Sequence, residues 1–239
     1  AMNRRLLSAV AVLALIAAAP ALAQAPQPAP AAASAPRPTS LAEAIPLIDA
    51  GFDRWQAQVH APGLIYGVVK DGEIIHLRMA GQRRLDDPAP VETDTLFRIA
   101  SMSKAFTALA ILKLRDEGRL SLEEPAARYV PELRKWKPAT VDARPITVRD
   151  LLHHTAGFVE DNPWGDRQQV LTEPEFTALI NGGMEFANAP GARNEYSNYG
   201  YALLGRIISN VSGKSYQAYI RDTIMRPLGM MSTGFDIAA

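Results

Sequence analysis

The chain has 239 residues, with 25 basic and 25 acidic side chains and a hydrophobic fraction of 48%, which is typical of a folded globular protein. Because its formal net charge is zero, no overall electrostatic field favours nucleic-acid binding, and we expect a small-molecule or short-peptide substrate instead. The sequence contains no cysteine, which excludes disulfide bonds, a thiol nucleophile and cysteine-ligated zinc.

The first 23 residues have the organisation of an export signal. A basic pair, Arg4 and Arg5, precedes an apolar stretch at 6–19, and an A-x-A pattern ends at Ala23. These features predict a signal peptide at residues 1–23. A membrane anchor is the alternative, but the stretch is short for a span of about 20 residues and Pro20 follows it. We therefore expect an exported protein, periplasmic or secreted, that meets the membrane only through this signal.

Residues 24–40 consist almost entirely of Ala, Pro, Gln and Ser. Such a composition cannot bury a hydrophobic core and favours extended, solvated backbone, so we interpret this segment as a linker. The folded domain is predicted to cover residues 41–239.

The first predicted helix begins after Ser40, which has capping-box spacing with Glu43. Pro46 lies inside the pattern, so a later start or a bend is also possible. Apolar residues recur at steps of three and four and predict one apolar helix face: Leu41, Ile45, Ile48, Phe52, Trp55 and Val59.

Two β-rich runs follow on either side of Asp71-Gly72, a strong signal for a hairpin turn. A helix is then predicted from the stretch that begins at Phe97 to about Gly118, where the glycine is a stop signal. Most of the remaining sequence has helical patterns, including residues 145–154 and 199–212.

The stretch FRIASMSKAFTALAIL places Ser101 and Lys104 three residues apart at the start of an apolar run. On a helix, the two side chains would lie on one face within hydrogen-bond reach. A serine hydroxyl needs a base to act as a nucleophile, and burial favours the neutral, basic form of a lysine because its charged form loses water. The S-x-x-K spacing also arises by chance, so alone it leaves a helix start without catalytic function open.

A second candidate pair, Tyr196 and Asn198, lies in a loop before a predicted helix. A tyrosine in such a loop can pass a proton between nucleophile and leaving group, and an asparagine can hold a substrate amide or the lysine. The alternative is a helix entry in which Asn198 is the N-cap and Tyr196 packs against the core.

Other polar and aromatic residues favour ordinary roles. His153 and His154 are adjacent, so on a helix their side chains diverge and cannot share a metal ion, and we expect no catalytic or metal-binding role for them. Phe158 and Trp164 fit either a substrate cleft or the core. Three carboxylates show no pairing and are expected on a solvated face: Asp94, Glu160 and Asp161.

Together and in this order, the two motifs resemble those of the serine β-lactamase and penicillin-binding-protein superfamily, in particular the branch of class C β-lactamases, D-alanyl peptidases and family VIII esterases. The resemblance extends from about Leu64 to Phe235. It implies an α/β (α+β) fold with an antiparallel sheet, flanking helices and an all-helical domain, in which the hairpin at Asp71-Gly72 forms the first two strands. Three stretches carry it: LFRIASMSKAFTALAILKLRDEGRLSLEEPAARYVPEL, ITVRDLLHHTAGF and PGARNEYSNYGYALLGRIISNVSGKSYQAYIRDTIMRPLGMMSTGF.

The resemblance also implies a serine hydrolase that needs no metal or other cofactor. Ser101 would attack the carbonyl of a β-lactam, an ester or a D-amino-acid peptide, and water would cleave the resulting acyl-enzyme. Lys104 and Tyr196 would share the proton transfers, Asn198 would hold the substrate, and the backbone N–H of Ser101 would form half of the oxyanion hole. The LLHHTAGF segment is similar to a family segment that orders a loop.

One family feature is not found in the expected place: a Lys, His or Trp followed one residue later by Gly, on the strand opposite the serine. SGKS at 212–215 has the wrong position and order, and STGF at 232–235 lacks the basic residue. We therefore expect an N-terminal portion of such an enzyme, truncated before the remaining sheet strands and with little turnover. A non-catalytic β-lactam- or peptidoglycan-binding or sensing module, or an inactive fragment, stays open as the alternative, and so does the oligomeric state.

Overall fold

The computed structural model of the protein describes residues 37–137, 139–161 and 171–235. The predicted signal peptide, most of the predicted linker and Trp164 lie outside these ranges. In the ranges described, no helix combines the length and the apolar character needed to cross a bilayer. The chain divides into two compact units, Ala1–Val91 and Glu92–Ala239.

The first unit begins with helix α1, Leu41–Val59. Ser40 is its N-cap, as predicted, and accepts a hydrogen bond from the Glu43 N–H at 3.3 Å. Pro46 lies within the helix, which therefore starts at the cap and not after the proline. The predicted apolar stripe is not buried along its length, since Trp55 and Val59 remain about half exposed.

A three-stranded antiparallel sheet in the order β1-β2-β3 forms the rest of the described part of this unit. Its strands are β1, Gly63–Lys70; β2, Glu73–Arg84; and β3, Asp87–Pro90. Asp71 and Gly72 have φ values of 53° and 84°, so both central residues of the β1–β2 turn have positive φ, as a type I′ hairpin turn requires. The predicted hairpin is confirmed.

The described residues of the second unit form helices joined by loops, with two isolated β-bridges, Pro125–Thr147 and Phe158–Phe186. Within the part that the structure describes, a 3₁₀ turn at Ala100–Met102 leads into the first of five α-helices, and the last continues into a π-helical turn, Arg221–Met225. The helices are α2, Ser103–Asp116; α3, Val148–Leu152; α4, Glu173–Asn181; α5, Asn198–Ser212; and α6, Tyr216–Ile220.

Helix α3 is shorter than the predicted span of 145–154. Thr147 and Asp150 form a capping box at its start, and this local pairing fixes the first turn. His154 has a φ of 57°, outside the right-handed helical region, so the chain leaves the helix before this residue.

Helix α5 forms the centre of the core of the second unit. It packs against α2, α3 and α6. Phe158, only 1% exposed, lies in an aromatic cluster with Trp136 and Tyr199, so it belongs to the core and does not line a cleft. The fully buried aliphatic side chains of α2 and α5 are Ile111, Leu114, Leu203, Leu204, Ile207 and Ile208. This packing fixes the starts of α2 and α5, where the four candidate site residues lie.

Candidate active site

Ser101 lies in the 3₁₀ turn immediately before α2, and not within the α-helix as predicted. Lys104 follows in the first turn of α2, and its Nζ donates to Ser101 Oγ at 3.2 Å. The preceding residue, Ala100, has a φ of 44°, a left-handed conformation that is costly for a residue with a side chain. Ser101 is exposed and Lys104 is half-buried, so the serine is accessible while the lysine is partly shielded from water.

Tyr196 and Asn198 lie beside this turn, although more than 90 residues separate them from it in the chain. The hydroxyl of Tyr196 is 2.5 Å from Ser101 Oγ. Lys104 Nζ donates to the Tyr196 hydroxyl and to Asn198 Oδ1, each at 2.6 Å. The structure thus brings together all four residues that the two sequence motifs singled out.

The three bonds made by Lys104 account for every donor of an ammonium group. A charged lysine has three N–H bonds and no acceptor, and the three oxygen atoms around Nζ come from Ser101, Tyr196 and Asn198. Nζ also lies 4.6 Å from the centre of the Tyr196 ring, within the range of a cation–π contact. This geometry suits a charged Lys104 that holds the phenol in place.

The pKa of Tyr196 reflects two opposing effects. Burial raises the pKa of the phenol, but the hydrogen bonds from Lys104 and Ser101 and the positive charge of Lys104 outweigh it, so the net shift is below the ordinary value of 10.0. A lowered pKa increases the phenolate fraction near neutral pH. This shift favours the form of Tyr196 that can accept a proton.

The N-cap of α5 is Ser197, so the alternative in which Asn198 caps this helix is wrong. Ser197 Oγ accepts a hydrogen bond from the Gly200 N–H at 2.9 Å. Asn198 is the first residue of the helix, and its side chain reaches Lys104. Because the neighbouring serine satisfies the helix end, the asparagine is available to the site.

Asp161 anchors the start of α5, a role that the sequence did not predict. Its carboxylate accepts hydrogen bonds from Ser197 Oγ at 2.8 Å and from the N–H groups of Asn198 and Tyr199 at 2.6 and 2.8 Å. Asp161 is 8% exposed, so the expectation of a solvated face is wrong for this residue. A negative charge at a helix N-terminus is stabilised by the exposed N–H groups and the helix dipole.

His154 also touches the site, whereas the adjacent His153 is exposed. The imidazole of His154 lies 4.7 Å from the Tyr196 ring and 5.0 Å from the Tyr201 ring, between ring centres. Its Nδ1 accepts a hydrogen bond from the Ser197 N–H at 3.0 Å. In the ranges described, no group of three His, Asp or Glu side chains is placed to hold a metal ion.

Comparison with known proteins confirms the fold class predicted from the sequence, the mixed α/β fold of β-lactamases and penicillin-binding proteins. Residues 48–239 match the family model described as Beta-lactamase, and the chain belongs to this family. The predicted resemblance is therefore confirmed.

The proteins that are similar to this chain have different names. The chain is 35% identical over 185 residues to Protein flp of Staphylococcus aureus (strain NCTC 8325 / PS 47). The structure of the octameric penicillin-binding protein homologue from Pyrococcus abyssi is similar with a TM-score of 0.68 at 32% identity, over 78% of this chain and 43% of that chain. A class C beta-lactamase in complex with cefoxitin has a TM-score of 0.69 at 27% identity, over 83% of this chain and 53% of that chain.

The match covers unequal shares of the proteins compared. It includes 74% of this chain but 35% of the Staphylococcus aureus protein, so the chain spans about a third of the length of that curated relative.

Proposed function

We propose that this protein is an exported serine hydrolase in which Ser101 forms an acyl-enzyme with the carbonyl of a β-lactam, an ester or a D-amino-acid peptide. The supporting observation is the distance of 2.5 Å between Ser101 Oγ and the Tyr196 hydroxyl, with Lys104 bound to both groups. A nucleophile in hydrogen-bond contact with a proton acceptor, which a third group holds in place, is the arrangement that activates a serine.

In the acylation step, the Oγ–H bond of Ser101 breaks as Oγ bonds to the carbonyl carbon, and the Tyr196 phenolate takes the proton. The carbonyl electron pair moves onto oxygen and returns when the bond to the leaving nitrogen or oxygen breaks. Tyr196 then gives its proton to the leaving group, which completes the transfer. Water next attacks the acyl carbon, its proton passes through Tyr196 to Ser101 Oγ, and the carboxylic acid leaves.

Lys104 and Asn198 support these transfers. A charged Lys104 stabilises the phenolate form of Tyr196 and need not itself take the serine proton, because Tyr196 lies closer to Ser101 Oγ than Nζ does, at 2.5 against 3.2 Å. The carbonyl oxygen of Asn198 accepts from Lys104, which leaves its NH₂ group to donate to a substrate carbonyl. The backbone N–H of Ser101 is proposed as one oxyanion donor.

A second function is a penicillin-binding or sensing module that is acylated but does not release the acyl group. The name of the Pyrococcus abyssi relative favours it. The two functions share the acylation step and differ in deacylation, so one time course distinguishes them.

The test is the intact mass of the 239-residue chain after exposure to a penicillin and, separately, to an activated ester. Ser101→Ala removes the proposed nucleophile, and Ser103→Ala, two residues further on, is the matched control. We expect a covalent adduct on the parent chain and on Ser103→Ala but not on Ser101→Ala. Equal labelling of Ser101→Ala, or no adduct on a folded parent chain, would exclude acylation at Ser101. Decay of the adduct with release of product supports the hydrolase, and a persistent adduct supports the binding module.

A further inference from the structure

His154 contacts the backbone N–H groups of both residues that flank Tyr196, Glu195 and Ser197. Its backbone carbonyl accepts a hydrogen bond from the Glu195 N–H at 2.8 Å, and its ring Nδ1 accepts one from the Ser197 N–H at 3.0 Å. The imidazole also lies against the Tyr196 ring, 4.7 Å between centres. One residue therefore contacts the backbone before the tyrosine, the backbone after it and the tyrosine ring.

The backbone of His154 directs its side chain to this place. With a φ of 57°, His154 occupies the left-handed region just after α3 ends at Leu152, a conformation in which histidine and asparagine are enriched. On the same side, Tyr201 contacts the imidazole and donates its hydroxyl proton to the Leu152 carbonyl at 3.1 Å. The ring is thus held by its neighbours in one orientation.

The hydrogen bond to Nδ1 fixes the proton state of the ring. A backbone N–H can only donate, so Nδ1 must be the unprotonated nitrogen and the imidazole must be neutral with its proton on Nε2. A second proton on Nδ1 would leave the Ser197 N–H facing another donor. Protonation therefore breaks one of the two hydrogen bonds that flank Tyr196.

We propose that His154 is a positioning residue for Tyr196, and that its neutral imidazole holds the phenol against Ser101 and releases it when the ring is protonated. This inference rests on the proposed function for its effect on acylation, since the phenol is the proton acceptor in that step. A displacement of the phenol by about 1 Å is sufficient to slow such a transfer by about 10²-fold.

The charged and titratable groups around the ring favour the neutral form. Burial and then the positive charge of Lys104 lower the pKa of His154 below its ordinary value of 6.5, and the Asp161 carboxylate opposes them only in part. Tyr196 and Tyr201 also face the imidazole, and both phenols are uncharged under acidic conditions. Tyr196 is therefore held in place at neutral pH and released in acid.

The test compares the pH profile of Ser101 acylation by an activated ester in the parent chain, in His154→Asn and in the control His153→Asn. Asparagine tolerates the left-handed backbone and offers Oδ1 as an acceptor, but it takes up no proton. We expect the acylation rate of His154→Asn to lie within about 3-fold of the parent rate at neutral pH. In acid, the rate of this variant should depend on the binding of one proton fewer than the parent rate does. His153→Asn should follow the parent. His154→Ala, which lacks both acceptor and ring, should lose about 10²-fold at all pH values.

A parent-like acid limb in His154→Asn, or a parent-like rate in His154→Ala, would overturn the inference. Nitrogen-15 NMR of the histidine rings provides a readout that needs no activity. We expect Nδ1 of His154 to be unprotonated at neutral pH, and the contact with the Tyr196 ring to be lost as His154 titrates. A persistent contact with protonated His154 contradicts the inference, whereas failure of acylation with a normal NMR titration contradicts the proposed function alone.

Discussion

Tyr196 shows how opposing effects in the environment of a single side chain set the direction of its pKa shift. Burial raises the pKa of the phenol, whereas the hydrogen bonds from Lys104 and Ser101 and the charge of Lys104 lower it, and the net shift is below the ordinary value. In the proposed mechanism, Ser101 depends on a lysine whose Nζ lies 3.2 Å from Ser101 Oγ and 2.6 Å from the Tyr196 hydroxyl. The role of Lys104 is electrostatic in this scheme, and that role can be separated from the role of a direct base.

The change Lys104→Met tests this role. It removes the hydrogen bond and the charge that lower the pKa of Tyr196 and leaves the burial that raises it, so we expect the pKa to rise above the ordinary 10.0. Ultraviolet difference titration against Tyr196→Phe measures the shift, and acylation should slow by about 10²- to 10⁴-fold. Lys113→Met is the control, because Lys113 pairs with Glu117 on the surface of the same helix at 3.0 Å. An unchanged Tyr196 titration in Lys104→Met would contradict the electrostatic role.

At the scale of the element, α5 begins with Asn198, and the loop immediately before it contains Tyr196. Asp161 binds three donors there, from Ser197, Asn198 and Tyr199, and it is almost fully buried. A buried carboxylate with several hydrogen bonds from a helix end stabilises both the helix and the geometry of its first turn. The position of the site asparagine therefore depends on a residue that lies in another part of the sequence.

Asp161→Asn should weaken this element. The amide keeps one oxygen acceptor but replaces the other with an NH₂ group that faces backbone donors, so we expect a loss of about 1–3 kcal/mol in the free energy of unfolding. Acylation should fall further than the folded fraction does, because Asn198 and Tyr196 are displaced. Denaturant unfolding and acylation rate, measured on the same samples, test both effects. Glu175→Gln changes the exposed capping box of α4 and should cost less than about 1 kcal/mol; an equal loss in both variants would argue against an anchoring role for Asp161.

The elements predicted correctly are those determined by neighbouring residues. Ser40 with Glu43 predicts the start of α1, Asp71-Gly72 predicts the hairpin, and Gly118 follows the end of α2, with a φ of 70°. Each signal acts through a hydrogen bond or a positive φ within a few residues of itself. The two motif pairs, Ser101 with Lys104 and Tyr196 with Asn198, can also be recognised from the sequence, because the residues of each pair lie two or three positions apart.

What the sequence did not show depends on contacts between distant residues. The carboxylate of Asp161 meets donors 36–38 positions later, and the ring of His154 meets a donor 43 positions later. No local pattern distinguishes these side chains from solvated ones. The left-handed Ala100, which puts Ser101 in the turn before α2, is likewise held by its surroundings against its own preference.

At the scale of the second unit, one core supports both halves of the site. Helix α2 begins just after Ser101 and α5 begins just after Tyr196, and the two helices pack against each other through buried aliphatic residues. The proximity of Ser101 and Tyr196, 95 positions apart in the chain, is therefore a product of core packing. Loss of this packing should separate Ser101 from Tyr196.

Ile207→Ala tests this dependence. Ile207 is fully buried in α5, and truncation of such a side chain leaves a cavity that costs about 2–5 kcal/mol in the free energy of unfolding. We expect the temperature midpoints for loss of helical circular dichroism and for loss of Ser101 acylation to fall together. Leu109→Ala, on the exposed side of α2 where Leu109 is 46% exposed, should move both by little, since surface substitutions change stability by about 0.5 kcal/mol or less. If the parent chain loses acylation at a temperature well below its loss of helical circular dichroism, the site opens independently of the core. The start of α5 would then be less stable than the core.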